Sequence, residues 1–321
     1  MLFLNERDIK EAVTMKDVID AIDETYLVYE SGQFQMPQRM HLKEGDNTLL
    51  LMPSITEDAI GTKLVTIFPN NQKLPTLHGL VVLNSSETGE IKGILNGAFL
   101  TGMRTGAIGG SGVRHLARKD AASLAIVGTG VQGLYQAIAA CTERPIETVH
   151  LFNRSPEKMP AFKESLQKWV GSDVVIKSYS SVEEAINDVD IVITTTTSND
   201  PVLPDNPEIL KNKLVIGVGS FQPTMREFPQ SLFKVADKVM VDTEHAIEES
   251  GDIAIPIEKG WIDRDSILTV SELVSNNKQV NVQEGGTIVL KSTGMALFDV
   301  VVANLMYQKA QEKGAGTNLS M

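Results

Sequence analysis

Residues 123–141 read Ser-Leu-Ala-Ile-Val-Gly-Thr-Gly-Val-Gln-Gly-Leu-Tyr-Gln-Ala-Ile-Ala-Ala-Cys: an apolar run, three glycines spaced G-x-G-x-x-G, then a helix-like run. The order is strand, tight turn, helix. In that setting each glycine has a mechanical reason. Gly128 makes the sharp turn, Gly130 lets the backbone approach a pyrophosphate, and Gly133 lets the helix pack closely on the strand. The phosphates would rest on the N–H groups of Thr129, Val131 and Gln132, at the positive end of the helix dipole. A chain built around this stretch is expected to bind a dinucleotide.

The next strand, Thr148-Val-His-Leu-Phe152, ends at Asn153 and Arg154. An NAD-binding turn of this kind usually carries Asp or Glu there to hold the ribose 2′-hydroxyl. An acidic side chain would repel a 2′-phosphate, whereas Arg154 offers a fork of donors and Asn153 can still bond the ribose. NADP(H) is therefore the expected cofactor, with NAD(H) possible. A solvated surface arginine is the alternative reading of Arg154.

Strand-like runs at 123–128, 148–152, 174–178, 190–195 and 214–219 alternate with helical segments at 131–142, 156–170 and 182–187, the last opened by the capping box Ser181-Val-Glu-Glu184. Such alternation implies an α/β fold with a mostly parallel, doubly wound sheet of Rossmann type. Thr194 to Thr197 close one strand at the carboxyl edge, where cofactor and substrate meet in this architecture. Either their hydroxyls, those of Thr195 and Thr196 among them, line the nicotinamide side, or threonine is there for strand propensity. Two more strands are expected at 238–242 and 286–290.

The first 113 residues lack a nucleotide fingerprint. Thr14-Met-Lys-Asp17 starts a helix that buries Val18, Ile19, Ile22, Tyr26 and Tyr29 and ends at Gly32. Extended runs follow at 47–52, 61–68, 78–83 and 90–95, which suggests a mostly antiparallel sheet. The stretch from Gly97 to Ala117 is helix-like despite Gly102, Gly106, Gly109, Gly110 and Gly112. Each glycine there costs about 1 kcal/mol relative to alanine, so close packing must compensate: another backbone, a cofactor or a twofold partner. Arg104 lies inside it and needs a reason. The last helix, 293–313, is apolar over its first half and therefore buried; Gly314 to Met321 reads as a disordered tail.

Hydrophobic content of 42% and charged content of 22% exclude a disordered chain, and a formal net charge of −12 argues against nucleic acid or an anionic membrane as partner. A small anionic substrate stays open, because a few buried cations outweigh the global field at close range. Cys141, the single cysteine, cannot form an internal disulfide and reads as a small core residue. None of the five histidines has metal-ligand spacing with another, so no metal is expected. With no leader-like N-terminus and no run long enough to span a membrane, a cytoplasmic protein is expected.

Leu74-Pro-Thr-Leu-His-Gly, Thr88-Gly-Glu, Leu100-Thr-Gly-Met-Arg104-Thr-Gly-Ala, the Gly128 turn and Lys291-Ser-Thr-Gly-Met-Ala, in this order and spacing, resemble the ornithine cyclodeaminase/mu-crystallin family over nearly the whole chain. The resemblance implies a Rossmann domain at 114–292 inserted in an α+β substrate and dimerisation domain of residues 1–113 plus 293–321, and a homodimer formed by joining sheets. It also implies that Arg39, Lys63 and Arg104 hold a substrate carboxylate, and that Val218 and Ser292 contact the cofactor. The physics agrees for the cations: three on small or apolar elements need an anion, and a carboxylate accepts bidentate bonds from arginine. His78 reads as a hydrogen-bonding neighbour of that site. Asp299, on the last helix, could be another polar neighbour, and no role is assigned to it.

Cyclodeaminases resemble Gly-Gly-Asp-x-Pro-Gly after the fifth Rossmann strand, whereas this chain reads Val218-Gly-Ser-Phe221-Gln-Pro223. A phenyl ring at Phe221 cannot pair with a substrate ammonium, so a flatter, less charged substrate is favoured over ornithine. The expected activity is NADPH-dependent reduction of a small cyclic imino acid, Δ1-pyrroline-2-carboxylate or its six-membered homologue. Lys63 either influences the imine proton or acts as a charge alone. The alternatives are alanine dehydrogenase or ornithine cyclodeaminase activity and, as a different class, a non-catalytic NADPH-dependent binder of mu-crystallin type.

Overall fold

The computed structural model describes residues 1–275 and 286–320. The chain divides into two compact units, Met1–Arg104 with Met295–Met321, and Thr105–Gly294. Among the described residues, no helix is long and apolar enough to cross a membrane.

The first unit carries an eight-stranded sheet. From one edge it runs Thr317–Asn318, Leu2–Leu4, Ile91–Asn96, Leu77–Asn84, Ile60–Ile67, Asn47–Thr56 and Phe34–Gln35, with Met40–Glu44 also paired to Asn47–Thr56. All neighbours are antiparallel except Leu2–Leu4 beside Ile91–Asn96. Two helices bounded by capping boxes lie between its strands Leu2–Leu4 and Phe34–Gln35. Asn5 and Asp8 start Glu6–Ala12, which no periodic pattern announced, and Thr14 and Asp17 start Met15–Ser31, closed by Gly32 at φ 67°. The C-terminal helix Ala296–Lys313 packs on Met15–Ser31 and crosses the central strands. Gly61 makes that crossing close: an added Cβ would meet Val300 Cγ2 at 3.0 Å.

Two expectations for the C-terminal region are corrected. Gly314 to Met321 does not form a disordered tail over its described part, since Thr317–Asn318 pairs antiparallel with Leu2 and Phe3 and the Leu319 N–H donates to Met1 O at 2.9 Å. Its polar composition hid an edge strand whose bonds are all main-chain. The last helix also starts at Ala296 rather than Thr293, because the N–H groups of Thr293 and Gly294 are drawn to the Asp242 carboxylate, at 3.2 and 2.8 Å.

The second unit is the expected doubly wound α/β structure. Among the described residues its eight strands are all parallel, in the order Val175–Ser178, Thr148–Phe152, Ser123–Val127, Ile191–Thr194, Leu214–Gly217, Thr287–Lys291, Ala236–Val241 and Leu268–Thr269. The order reverses between Ser123–Val127 and Ile191–Thr194, which makes their carboxyl ends the crevice where ligands bind in open α/β sheets. The late strand Thr287–Lys291 is inserted between Leu214–Gly217 and Ala236–Val241, beyond the reach of any local pattern. Asp190 does not join its strand: its carboxylate accepts from the N–H groups of Ala122 and Ser123 and pins the start of Ser123–Val127.

The glycine-rich helix spans Gly97–Leu116. Added Cβ atoms would lie 2.6 Å from Leu80 N at Gly97, 2.6 Å from Tyr135 O at Gly106 and 2.4 Å from Leu290 Cδ2 at Gly112. Of the three compensations the sequence left open, close packing on the chain's own backbone and side chains is the one observed at these positions. Cys141 is half-buried, and burial pushes its thiol up to about 12, which fits a packing residue and not a nucleophile.

Candidate active site

The second unit carries the nucleotide-binding elements. Gly128 follows its strand with φ 107°, a conformation that side chains rarely adopt. Gly130 caps Val131–Glu143 without any side-chain cap bond, and an added Cβ there meets nothing within 4 Å. The space beside Gly130 at the start of the helix is therefore open, which leaves room for a ligand. Gly133 has the opposite surroundings: a Cβ would lie 2.2 Å from Gly128 O, so helix and turn touch only because that atom is missing. The positive φ of Gly128, the open side of Gly130 and the close contact at Gly133 are a geometry that a dinucleotide pyrophosphate would fit.

Asn153 Nδ2 donates to Thr129 Oγ1 at 2.6 Å, and its Oδ1 accepts from the Ser155 N–H at 2.8 Å. The side chain that replaces the usual carboxylate thus ties the two fingerprint loops together. Arg154 beside it is exposed. At the carboxyl edge, Thr195 Oγ1 donates to Gly128 O at 2.7 Å, the Val218 N–H donates to Thr194 O at 3.0 Å, and Ser292 Oγ donates to Asp242 Oδ2 at 2.6 Å. Thr195, Thr196, Val218 and Ser292 follow three neighbouring strands, as expected of groups around one crevice. The hydroxyl protons of Thr195, Thr196 and Ser292, however, are spent on the protein itself.

The acids that hold this edge were not singled out from the sequence. Glu227, Asp242 and Asp252 are fully buried. Burial raises the pKa of Glu227 and of Asp242; nearby Lys291 opposes the shift at Glu227, and Ser292 opposes it at Asp242. Asp242 directly follows an apolar strand at its carboxyl end, a signal that sequence reading could have used. Glu227 sits in an irregular segment and Asp252 in the first turn of the helix Gly251–Glu258, and neither carries such a signal. Phe221, at the divergent position, is 40% exposed.

The first unit carries a buried cluster of cations. Along Ile60–Ile67 the odd positions 61, 63 and 65 are buried, so Lys63 faces the same way as Gly61, which touches Val300. One position earlier on that helix, Asp299 receives both buried cations: Lys63 Nζ lies 2.8 Å from Oδ2, and Arg104 Nε donates to Oδ1 at 2.9 Å. Lys63, Arg104 and Asp299 are 2%, 7% and 0% exposed. Burial, then the Arg104 charge, pull the Lys63 pKa down to about 7 against the pull of Asp299, and the Arg39 charge adds to the lowering. The three expected cations therefore act on one another, and Asp299, which carried no assigned role, is the centre of the cluster. Its single negative charge pairs with two positive ones when Lys63 is protonated, which leaves room for an anion. His78 is exposed.

The model of the ornithine cyclodeaminase/mu-crystallin family matches residues 1–314. A Δ1-pyrroline-2-carboxylate reductase of Bacillus cereus is 35% identical over 99% of either chain. The solved Δ1-pyrroline-2-carboxylate reductase of Thermococcus litoralis in complex with NADH and L-proline is 33% identical, covers 99% of this chain and 100% of its own, and superposes with a TM-score of 0.92. An archaeal alanine dehydrogenase dimer with bound NAD is 27% identical over 100% of this chain and 99% of its own, with a TM-score of 0.90. With the fingerprint turn, the buried cation cluster and these full-length likenesses together, the chain belongs to the ornithine cyclodeaminase/mu-crystallin family.

Proposed function

We propose that this protein is an NAD(P)H-dependent reductase of a small cyclic imino acid, converting Δ1-pyrroline-2-carboxylate to L-proline or Δ1-piperideine-2-carboxylate to L-pipecolate. The observation that carries the reading is the buried Lys63–Asp299–Arg104 cluster, which has an excess of positive charge to offer one carboxylate. Arg39, Lys63 and Arg104 hold and orient that carboxylate. When bound, the reduced nicotinamide supplies a hydride. Hydride on the imine carbon and a proton on its nitrogen complete the amine, and a Lys63 ammonium with a pKa of about 7 holds a transferable proton at neutral pH. Phe221 adds an apolar wall for ring methylenes and no partner for a second ammonium.

The preferred cofactor is NADPH, read from the missing carboxylate at Asn153 and the exposed Arg154. The NAD and NADH in the two solved relatives make NADH the competing reading. The protein acts in the cytoplasm as a homodimer. Met40, Leu42 and Leu80 are 54%, 52% and 36% exposed on the antiparallel sheet, apolar surface that a second copy would cover. Light scattering at a mass twice that of the chain supports this; a monomer mass refutes it.

The test follows absorbance of NADPH, then of NADH, with Δ1-pyrroline-2-carboxylate, and with pyruvate plus ammonia in parallel. Oxidation by the cyclic imine alone, faster with NADPH, is the expected result. Oxidation only with free ammonia selects alanine dehydrogenase. Thermal protection by ligand without turnover selects a binding protein.

A further inference from the structure

Among the described residues, Lys291 is buried between two carboxylates, with Nζ 3.0 Å from Asp252 Oδ2 and 3.8 Å from Glu227 Oε2. No reading of the sequence assigned these residues a task. Asp252 points its other oxygen at the main chain of the Glu227 segment: Oδ1 accepts from the N–H groups of Glu227 at 2.6 Å and Phe228 at 2.9 Å. The Glu227 carboxylate then joins two loops. Its Oε1 accepts from the Thr196 N–H at 2.6 Å and from Thr196 Oγ1 at 2.8 Å. Its Oε2 accepts from the N–H groups of Gly219 at 2.9 Å and Ser220 at 3.2 Å. Thr196 follows the strand Ile191–Thr194, and Gly219 follows Leu214–Gly217, its neighbour in the sheet.

We infer that Glu227, held by Lys291 and Asp252, is a positioning residue that clamps the carboxyl ends of these two strands into the platform for the nicotinamide half of the cofactor. Both loops leave the edge where ligands sit in this architecture, next to the Gly128 turn. Four donors converge on two oxygens, so the ionised carboxylate is the form that satisfies all of them. Gly219 reports how tightly the clamp is drawn. An added Cβ there would lie 2.0 Å from Thr196 O and 2.7 Å from Glu227 Oε1. Glu227 has no place in the adenosine half, whose groups are the Gly128 turn, Asn153 and Arg154. The inference rests on the dinucleotide reading and not on the identity of the imino acid.

The experiment is Glu227→Gln. It removes one of two negative charges around a single ammonium, so Lys291 keeps Asp252 as a balanced partner. The amide nitrogen replaces one acceptor with a donor and releases one of the two loops. Fluorescence and calorimetric titrations compare NADPH with 2′-phospho-ADP-ribose, and NADH with ADP-ribose, pairs that differ by the nicotinamide alone. The expected result is about a tenfold loss of affinity for either complete dinucleotide, with the truncated ligands within about twofold of wild type. Glu227→Asp, which keeps the charge but shortens the reach, should show the same split. Equal weakening of complete and truncated ligands, or unchanged dinucleotide affinity in both variants, overturns the inference. Wild-type protein that binds both members of a pair but reduces no imino acid would fail the reductase reading alone, and the affinity comparison would still decide the clamp.

Discussion

Lys63 occupies a position where a lysine would ordinarily be charged at any physiological pH, yet its pKa is drawn down to about 7 by burial and by the Arg104 and Arg39 cations. Reduction consumes a proton, so on the proposed role of Lys63 its protonated form is the active one in that direction. Its population falls as pH rises through 7. We expect kcat/KM for imine reduction to decline above that pH, and Lys63→Ala to lower it by about 100-fold or more. A fully active Lys63→Ala protein would remove both the proton-transfer and the charge role. Asp299 works in the opposite direction, since its carboxylate raises the Lys63 pKa. Asp299→Asn should therefore move the alkaline limb of the reduction profile to lower pH. An unmoved limb in the pH profile would separate that limb from Lys63.

At the scale of the element, the strand–turn–helix around Gly128 separates binding from stability. Gly130 is open to an added Cβ at φ −92°, whereas Gly133 is closed by Gly128 O. Gly130→Ala should unfold within about 2 °C of wild type, because its backbone conformation is ordinary and nothing is displaced. Its methyl group nonetheless occupies the approach of the pyrophosphate, and NADPH affinity should fall about tenfold. Gly133→Ala forces the helix from the turn and should cost about 1–3 kcal/mol of stability as well as affinity. Calorimetric unfolding and NADPH titration of the two variants check both halves, and equal stability losses would contradict the assigned roles.

At the scale of the whole molecule, the two ends of the chain share one sheet. Leu2 pairs with Asn318 and Phe3 with Thr317, while an added Cβ at Gly316 would lie 2.6 Å from Leu4 Cδ2. Deletion of residues 315–321 should therefore lower the unfolding free energy by about 1–2 kcal/mol, read from urea denaturation. A disordered segment could be removed without effect, so unchanged stability would restore the sequence-based expectation.

What the sequence determined by itself is local. Gly128, Gly130 and Gly133, the Thr14 and Ser181 caps, and the alternation of strands and helices each depend on contacts within a few positions, and the doubly wound sheet followed from them. The cations Lys63 and Arg104 were legible because charged side chains on small or apolar elements are costly without a partner. Their partner was not legible. Arg104 meets Asp299 195 positions away, and that encounter exists only once a glycine at 61 lets the last helix lie against the sheet. The same holds for Lys291, Glu227 and Asp252. They meet because Thr287–Lys291 inserts between strands formed much earlier in the chain, a choice made by the packing of the sheet as a whole.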